Sequence, residues 1–158
     1  MKFSIHDMES GDARIIATWR YPDPYSFYDM ESDRDDLEEF LDFQDWDEDS
    51  NFAVLNVEGE LVGFFTFTWN DDTLILGLGL RPDMTGAGLG VLFVRTGLEY
   101  ARVKFSPKEL RLSVATFNKR AIRVYEKCGF KVSRTFMNST NGGVYEFVEM
   151  ILDAHTER

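Results

Sequence analysis

Cysteine is all but absent from this chain: its 158 residues hold one, Cys128. An internal disulfide is therefore excluded, and the fold must be held by its core alone. No apolar run approaches the ~20 residues of a membrane span. The opening MKFSIHDMES lacks the apolar centre of a signal peptide. These absences point to a cytoplasmic protein with no membrane partner. Histidine is nearly missing as well: His6 and His155 stand isolated near the two ends, so no metal site is expected.

Positive charge is in short supply. The net charge of −11 argues against a general nucleic-acid-binding surface, which needs an excess of Lys and Arg. The deficit is uneven. Residues 28–50, YDMESDRDDLEEFLDFQDWDEDS, carry twelve Asp and Glu against one basic residue, Arg34. The second half is richer in Arg and Lys, including Arg81, Arg95, Arg102, Lys119, Arg120 and Arg123. An acidic front and a more basic back suit ligands of opposite sign.

The length suffices for one domain with a real core, and neither repeat nor low-complexity tract nor linker divides residues 1–158. KFSIHDM reads as an opening strand, and GDARIIATW as a helix with Asp12 near its N-terminus. YPDPYSFYDM is a proline-broken loop, and RDDLEEFLDF a short acidic helix. NFAVLNV, ELVGFFTFTW and TLILGLGL are strands joined by hairpin-like EGE and NDD. The apolar run after Gly90 is a helix with Val91, Val94, Leu98 and Ala101 on one face. LRLSV follows as a strand with Leu110, Leu112 and Val114 on one side.

NKRAIRVYEKCGF is the clearest helix. Ala121, Val124, Tyr125 and Cys128 recur at helical spacing, Asn118 is a suitable cap and Gly129 a natural stop. Two closing strands, KVSRTFM and GVYEFVEMIL, flank NSTNGG, which reads as a turn-rich linker. The pattern is that of a single α/β (α+β) domain.

RPDMTGAGLG, residues 81–90, places three glycines at the start of a helix, where each costs about 1 kcal/mol against alanine. A helix N-terminus offers unpaired N–H groups and partial positive charge, a ready site for phosphate. The P-loop does not fit, since no Lys follows Gly90; the dinucleotide fingerprint fails on spacing. The alternative without any ligand is a flexible strand-to-helix turn with glycines for tight packing. Gly77 and Gly79, inside an apolar strand, mark either room for a neighbouring side chain or a ligand lying along the backbone.

Two stretches in order, LGLRPDMTGAGLG and NKRAIRVYEKCGF, resemble the GNAT superfamily of acyl-CoA-dependent N-acetyltransferases. The resemblance is strong over Leu74 to about Phe130. It implies a central, twisted mixed sheet flanked by helices, with two strands splayed around acetyl-CoA as co-substrate. It assigns the backbone of Leu78, Gly79 and Leu80 to the pantetheine arm. Thr85, Gly86, Ala87, Gly88, Leu89 and Gly90 would hold the pyrophosphate, Asn118 would contact the cofactor, and Tyr125 would protonate the leaving thiolate. On spacing alone Tyr125 reads as a core aromatic.

The chain departs from the family pattern at two positions. Thr85 replaces the usual Gln or Arg, altering one pyrophosphate contact. Ser113 stands where several relatives carry a Glu, so the general base is unassigned. The function implied is acetyl transfer from acetyl-CoA to a primary amine, the acidic segment favouring a cationic small molecule or peptide amine. Alternatives are an idle acyl-CoA-binding domain acting as a sensor, and a nucleotide-phosphate binder of another kind. The acidic segment alternatively serves solubility alone. Cys128 reads as a small buried residue. Aromatics such as Tyr21, Tyr25, Phe27, Tyr28 and Trp46 are divided between an acceptor pocket and the core. Oligomeric state is open, a homodimer being the commonest symmetric assembly.

Overall fold

Three apolar stretches in the middle of the chain, NFAVL, LVGFFTFTWN and TLILGLGL, build the part of the sheet that organises everything else. The computed structural model describes residues 2–42, 50–86 and 88–153. Ala87, His155, Trp46 and four of the twelve acidic residues (Asp45, Asp47, Glu48, Asp49) lie outside them. Seven strands form one mixed sheet: β1 (Ser4–Asp7), β2 (Asn51–Leu55), β3 (Leu61–Asn70), β4 (Thr73–Leu80), β5 (Glu109–Ala115), β6 (Lys131–Thr140) and β7 (Gly143–Asp153). Their spatial order is β1-β2-β3-β4-β5-β7-β6, with only β4 and β5 parallel.

Among the described residues four α-helices cover the sheet: α1 (Ser10–Ala17), α2 (Arg34–Leu41), α3 (Gly90–Phe105) and α4 (Lys119–Lys127). Helix α3 carries the chain from the end of β4 to the start of β5, the crossover a parallel pair requires. Its Phe93, Val94, Leu98 and Ala101 are buried with Phe52, Phe65 and Phe67 of the strands in the larger of two cores. Phe65 stacks on Phe93 at 4.6 Å, and α3 comes this close because Gly97 leaves room for the Phe65 ring. The smaller core, on the other face, joins Met8, Ala13, Ile16 and Trp19 to Phe40 and Phe64. The α1 start is a capping box between Glu9 and Asp12, where the Glu9 N–H donates to the Asp12 carboxylate at 3.0 Å. Among the described residues no helix is long and apolar enough to cross a membrane.

One expectation is corrected. Asn138, Ser139 and Thr140 are not linker but continue β6, paired to β7 down to Thr140 opposite Gly143. The turn proper is Asn141–Gly142, both at positive φ (52° and 76°). Such a two-residue turn matches the twist of the flanking strands, so the polar run can stay in the ladder. The long hairpin folds over the segment before α2. The Asp33 carboxylate caps Asp36 N–H and also accepts from Thr140 Oγ1 (3.0 Å) and Asn141 N–H (3.1 Å). The Asn141 amide in turn donates to the Phe27 carbonyl at 2.7 Å. These donors, Asn141 N–H foremost, hold the Asp33 carboxyl below its usual pKa.

Candidate active site

The parallel pair β4–β5 is short. It runs from Thr73 opposite Glu109 to Ile75 opposite Arg111 and then ends, while each strand continues with its other neighbour. The two strands therefore splay, and the wedge between them is a cavity of about 340 Å³.

The ladder shows which backbone groups face the wedge. Arg81 N–H bonds to the Val62 carbonyl at 2.7 Å. By antiparallel alternation, Gly79 and Gly77 then pair through hydrogen bonds with Phe64 and Thr66, and the main-chain groups of Leu76, Leu78 and Leu80 point the other way, into the wedge. The Leu80 carbonyl accepts from Tyr21 Oη at 2.8 Å, which leaves the Leu80 N–H and both groups of Leu78 facing the opening. The two glycines find a steric explanation here: a Cβ on Gly79 would overlap the Phe64 ring, and one on Gly77 the Thr66 hydroxyl. Gly79 turns its own hydrogen-bonding groups to β3, so the wedge-facing donors of this stretch come from its neighbours.

At the wide end of the wedge lies the glycine loop. Gly86 and Gly88 sit at φ of 72° and 77°, a region side chains rarely adopt, and a Cβ on Gly88 would meet only open space. Gly90 has a different reason, since its Cβ would press within 3.1 Å of Val124 on α4. Helix α3 has no side-chain cap, so its first-turn N–H groups are open toward the loop. Thr85 does not contribute in the expected way. Its N–H and hydroxyl both return to the Pro82 carbonyl, at 3.3 and 2.7 Å. Arg81 is likewise engaged, by Asp83 at 2.6 and 3.0 Å. The cation beside the loop is Arg120, stacked on the Tyr25 ring at 4.1 Å and within reach of Gly86.

Helix α4 lines the wedge opposite β4. Asn118 caps it, accepting from Ala121 N–H at 3.1 Å, and is itself buried in the cavity wall. Tyr125 is 9% exposed, meets Phe130 edge-on at 6.0 Å and lines the cavity together with Leu78 and Leu80. Burial first, then the neighbouring Tyr28 and Cys128, push its pKa up, so the phenol is fully protonated at neutral pH. Cys128 is buried, as the sequence implies. Ser113 lines the wedge with an exposed side chain. Its cross-strand partner on β7 is Glu149, a buried carboxylate held by Arg134 at 3.5 Å and Arg111 at 3.7 Å.

A second opening joins the wedge at Tyr28, Met30 and Phe64, which line both. This groove of about 780 Å³ runs between β3, the α2 segment and the β6–β7 hairpin. Asp29, Asp33, Asp36, Glu39 and Asp42 line it, and among its described lining residues there is no Lys or Arg. Partial burial and then the charges of Asp33, Glu39 and Asp35 raise the Asp36 pKa, the electrostatic sign of crowded anions.

The sequence motifs thus meet at one place, and three side chains join them to which no motif assigned a role. Tyr21 and Tyr28, named in the sequence only among aromatics divided between acceptor pocket and core, are brought in by tertiary packing, and Arg120 sits within the α4 motif with no role of its own. Among the described residues no group of three or more His, Cys, Asp or Glu is placed to hold a metal ion.

Known proteins resemble this chain in sequence and in fold. The chain is 34% identical over 93 residues to a mycothiol acetyltransferase of Streptomyces coelicolor, an overlap of 57% of this chain and 30% of that protein. It is 25% identical over 93 residues to the uncharacterized protein YxbD of Bacillus subtilis, covering 59% and 57%. The chain thus spans only about 30% of the length of the mycothiol acetyltransferases it matches. In three dimensions it superposes on the spermidine N-acetyltransferase of Vibrio cholerae in complex with CoA and spermine, with a TM-score of 0.76. That likeness covers 96% of this chain and 95% of that one at 20% identity, and so concerns the fold. The model of the acetyltransferase (GNAT) family matches residues 14–130, from α1 through the glycine loop to the end of α4, and the chain belongs to that family.

Proposed function

We propose that this protein transfers the acetyl group of acetyl-CoA to a primary amine carried by a cationic small molecule or peptide. The observation that carries the reading is the wedge itself, with the phosphate-type loop at one end and the acidic groove at the other. The pantetheine arm lies in the wedge as an added strand, bonded to the main chain of Leu78 and Leu80. The pyrophosphate rests on the N–H groups of Gly86 to Gly90 and the first turn of α3, with Ala87 assigned by the family motif alone. Arg120 supplies the positive charge that Thr85 does not. That a structural neighbour was crystallised with CoA and spermine supports the pairing of CoA with a cationic amine.

The amine enters through the groove and attacks the thioester carbon. The developing oxyanion meets the Leu80 N–H, and the departing sulfur takes the Tyr125 proton. Five carboxylates gather cations at the groove and disfavour their deprotonation. The attacking nitrogen therefore sheds its proton to solvent through the open groove, with no carboxylate at position 113 to receive it. The carboxylates would repel the phosphates of CoA, which fixes the direction of approach of the two substrates.

The test is a comparison of kcat/KM for cationic and neutral primary amines at low and high salt. Cationic amines are expected to be preferred, and the preference should shrink as salt screens charges beyond ~10 Å at 0.1 M. Equal use of both amine classes with no salt dependence would leave the acidic segment as a solubilising surface.

A further inference from the structure

Tyr28 stands where the wedge and the acidic groove meet, and its hydroxyl is the anomaly of the site. The ring is fixed between Phe27, edge-on at 5.3 Å, and Phe117 at 5.8 Å. The oxygen is buried from solvent and has no hydrogen-bond partner among the described residues. Its polar neighbours are the Ala115 main chain and the Asn118 side chain, whose Oδ1 already accepts from Ala121 N–H at 3.1 Å. A buried hydroxyl without a partner is destabilising, because the hydrogen bonds it made to water are not replaced. A phenylalanine would fill the same space without that cost, so the hydroxyl calls for a partner that arrives from outside the protein.

At the junction, three atoms of the reaction come together: the amine nitrogen, the acyl oxygen and the thioester sulfur. The nitrogen brings donors of its own, and sulfur is a weak acceptor already served by Tyr125. The acyl oxygen is the strong acceptor, and strongest when the tetrahedral intermediate makes it an anion. We propose that Tyr28 is a second catalytic hydroxyl, whose O–H donates to the acyl oxygen as charge develops there, in addition to the Leu80 N–H. The assignment rests on the transfer reading above. In the step, the nitrogen lone pair forms the N–C bond and the carbonyl π pair moves onto oxygen. Tyr28 hydrogen-bonds that oxygen without giving up its proton. The pair then returns, the C–S bond breaks, and sulfur takes the proton of Tyr125. Nitrogen has already given one proton to solvent before the attack; the second, lost after the N–C bond forms, restores Tyr125.

The experiment is Tyr28→Phe, assayed with acetyl-CoA and a cationic amine that the wild type acetylates. Loss of one oxyanion donor typically lowers kcat by about 10²–10³-fold. We expect a fall of about 10²-fold, an unchanged KM for acetyl-CoA, and a melting temperature equal to or above that of the wild type. Wild-type kcat in Tyr28→Phe overturns the assignment while leaving the transfer reading intact. A lowered melting temperature also overturns it, because the hydroxyl would then have a partner within the fold. A wild type with no amine-dependent turnover overturns the transfer reading and this assignment together.

Discussion

Replacing Tyr125 with phenylalanine is expected to lower kcat by about 10²–10⁴-fold, the range for loss of a general acid. The affinity for acetyl-CoA should hardly move. The substitution keeps the ring that packs edge-on against Phe130 and removes only an oxygen in the cavity wall. Packing and melting temperature should therefore survive, which separates a chemical role from a structural one. Burial raises the Tyr125 pKa above that of an ordinary tyrosine, so the acid stays protonated across the neutral range. The rate should accordingly show no loss attributable to this group until pH exceeds the usual ~10 of a phenol. A kcat equal to wild type, with chemistry rate-limiting, would return Tyr125 to the role its helical spacing suggests, a core aromatic.

The second large effect is expected at the glycine loop. A ligand at 100 times its Kd adds about 2.7 kcal/mol to unfolding free energy, and acetyl-CoA should do this for the wild type. Gly88→Val should lose most of it. Gly88 lies at φ of 77° with open space where a Cβ would stand, so the glycine is retained for backbone conformation and not for packing inside the protein. A β-branched residue resists that conformation and covers the N–H groups of the loop. Because the position is exposed, the unliganded fold should be only mildly affected. Binding of acetyl-CoA to Gly88→Val as tightly as to wild type, measured by calorimetry, would remove the loop from the cofactor site.

Much of this site was legible before any coordinates, and the reason is local. A loop that needs positive φ must spend glycines, so Gly86 and Gly88 announce themselves, and Asn118 with Gly129 brackets α4 by capping rules that act within a few residues. What escaped was long-range. The splay of β4 from β5 was legible only through the family resemblance; no residue near β4 says that the pairing stops after Ile75, because that depends on the partners each strand keeps on its other side. Gly79 carries a signal with two meanings, and only the Phe64 ring lying over it shows that sterics accounts for the residue. Thr85 looks like a ligand-facing side chain until its hydroxyl is seen returning to Pro82. Polar composition hid the end of β6, since Asn138 to Thr140 pair within the ladder despite reading as linker. Tyr21 and Tyr28 reach the wedge from a loop about fifty residues before β4 in sequence.

The central claim is that the wedge holds acetyl-CoA for transfer and not merely for binding. It is tested most directly by incubating the wild-type protein with acetyl-CoA and a cationic diamine, following free CoA and the mass of the amine together. The account predicts catalytic release of CoA that requires the amine, with one acetyl group appearing on the amine for each CoA released. Tight binding of acetyl-CoA with no amine-dependent release and no acetylated product, for any primary amine tried, would contradict it and make the domain an acyl-CoA sensor.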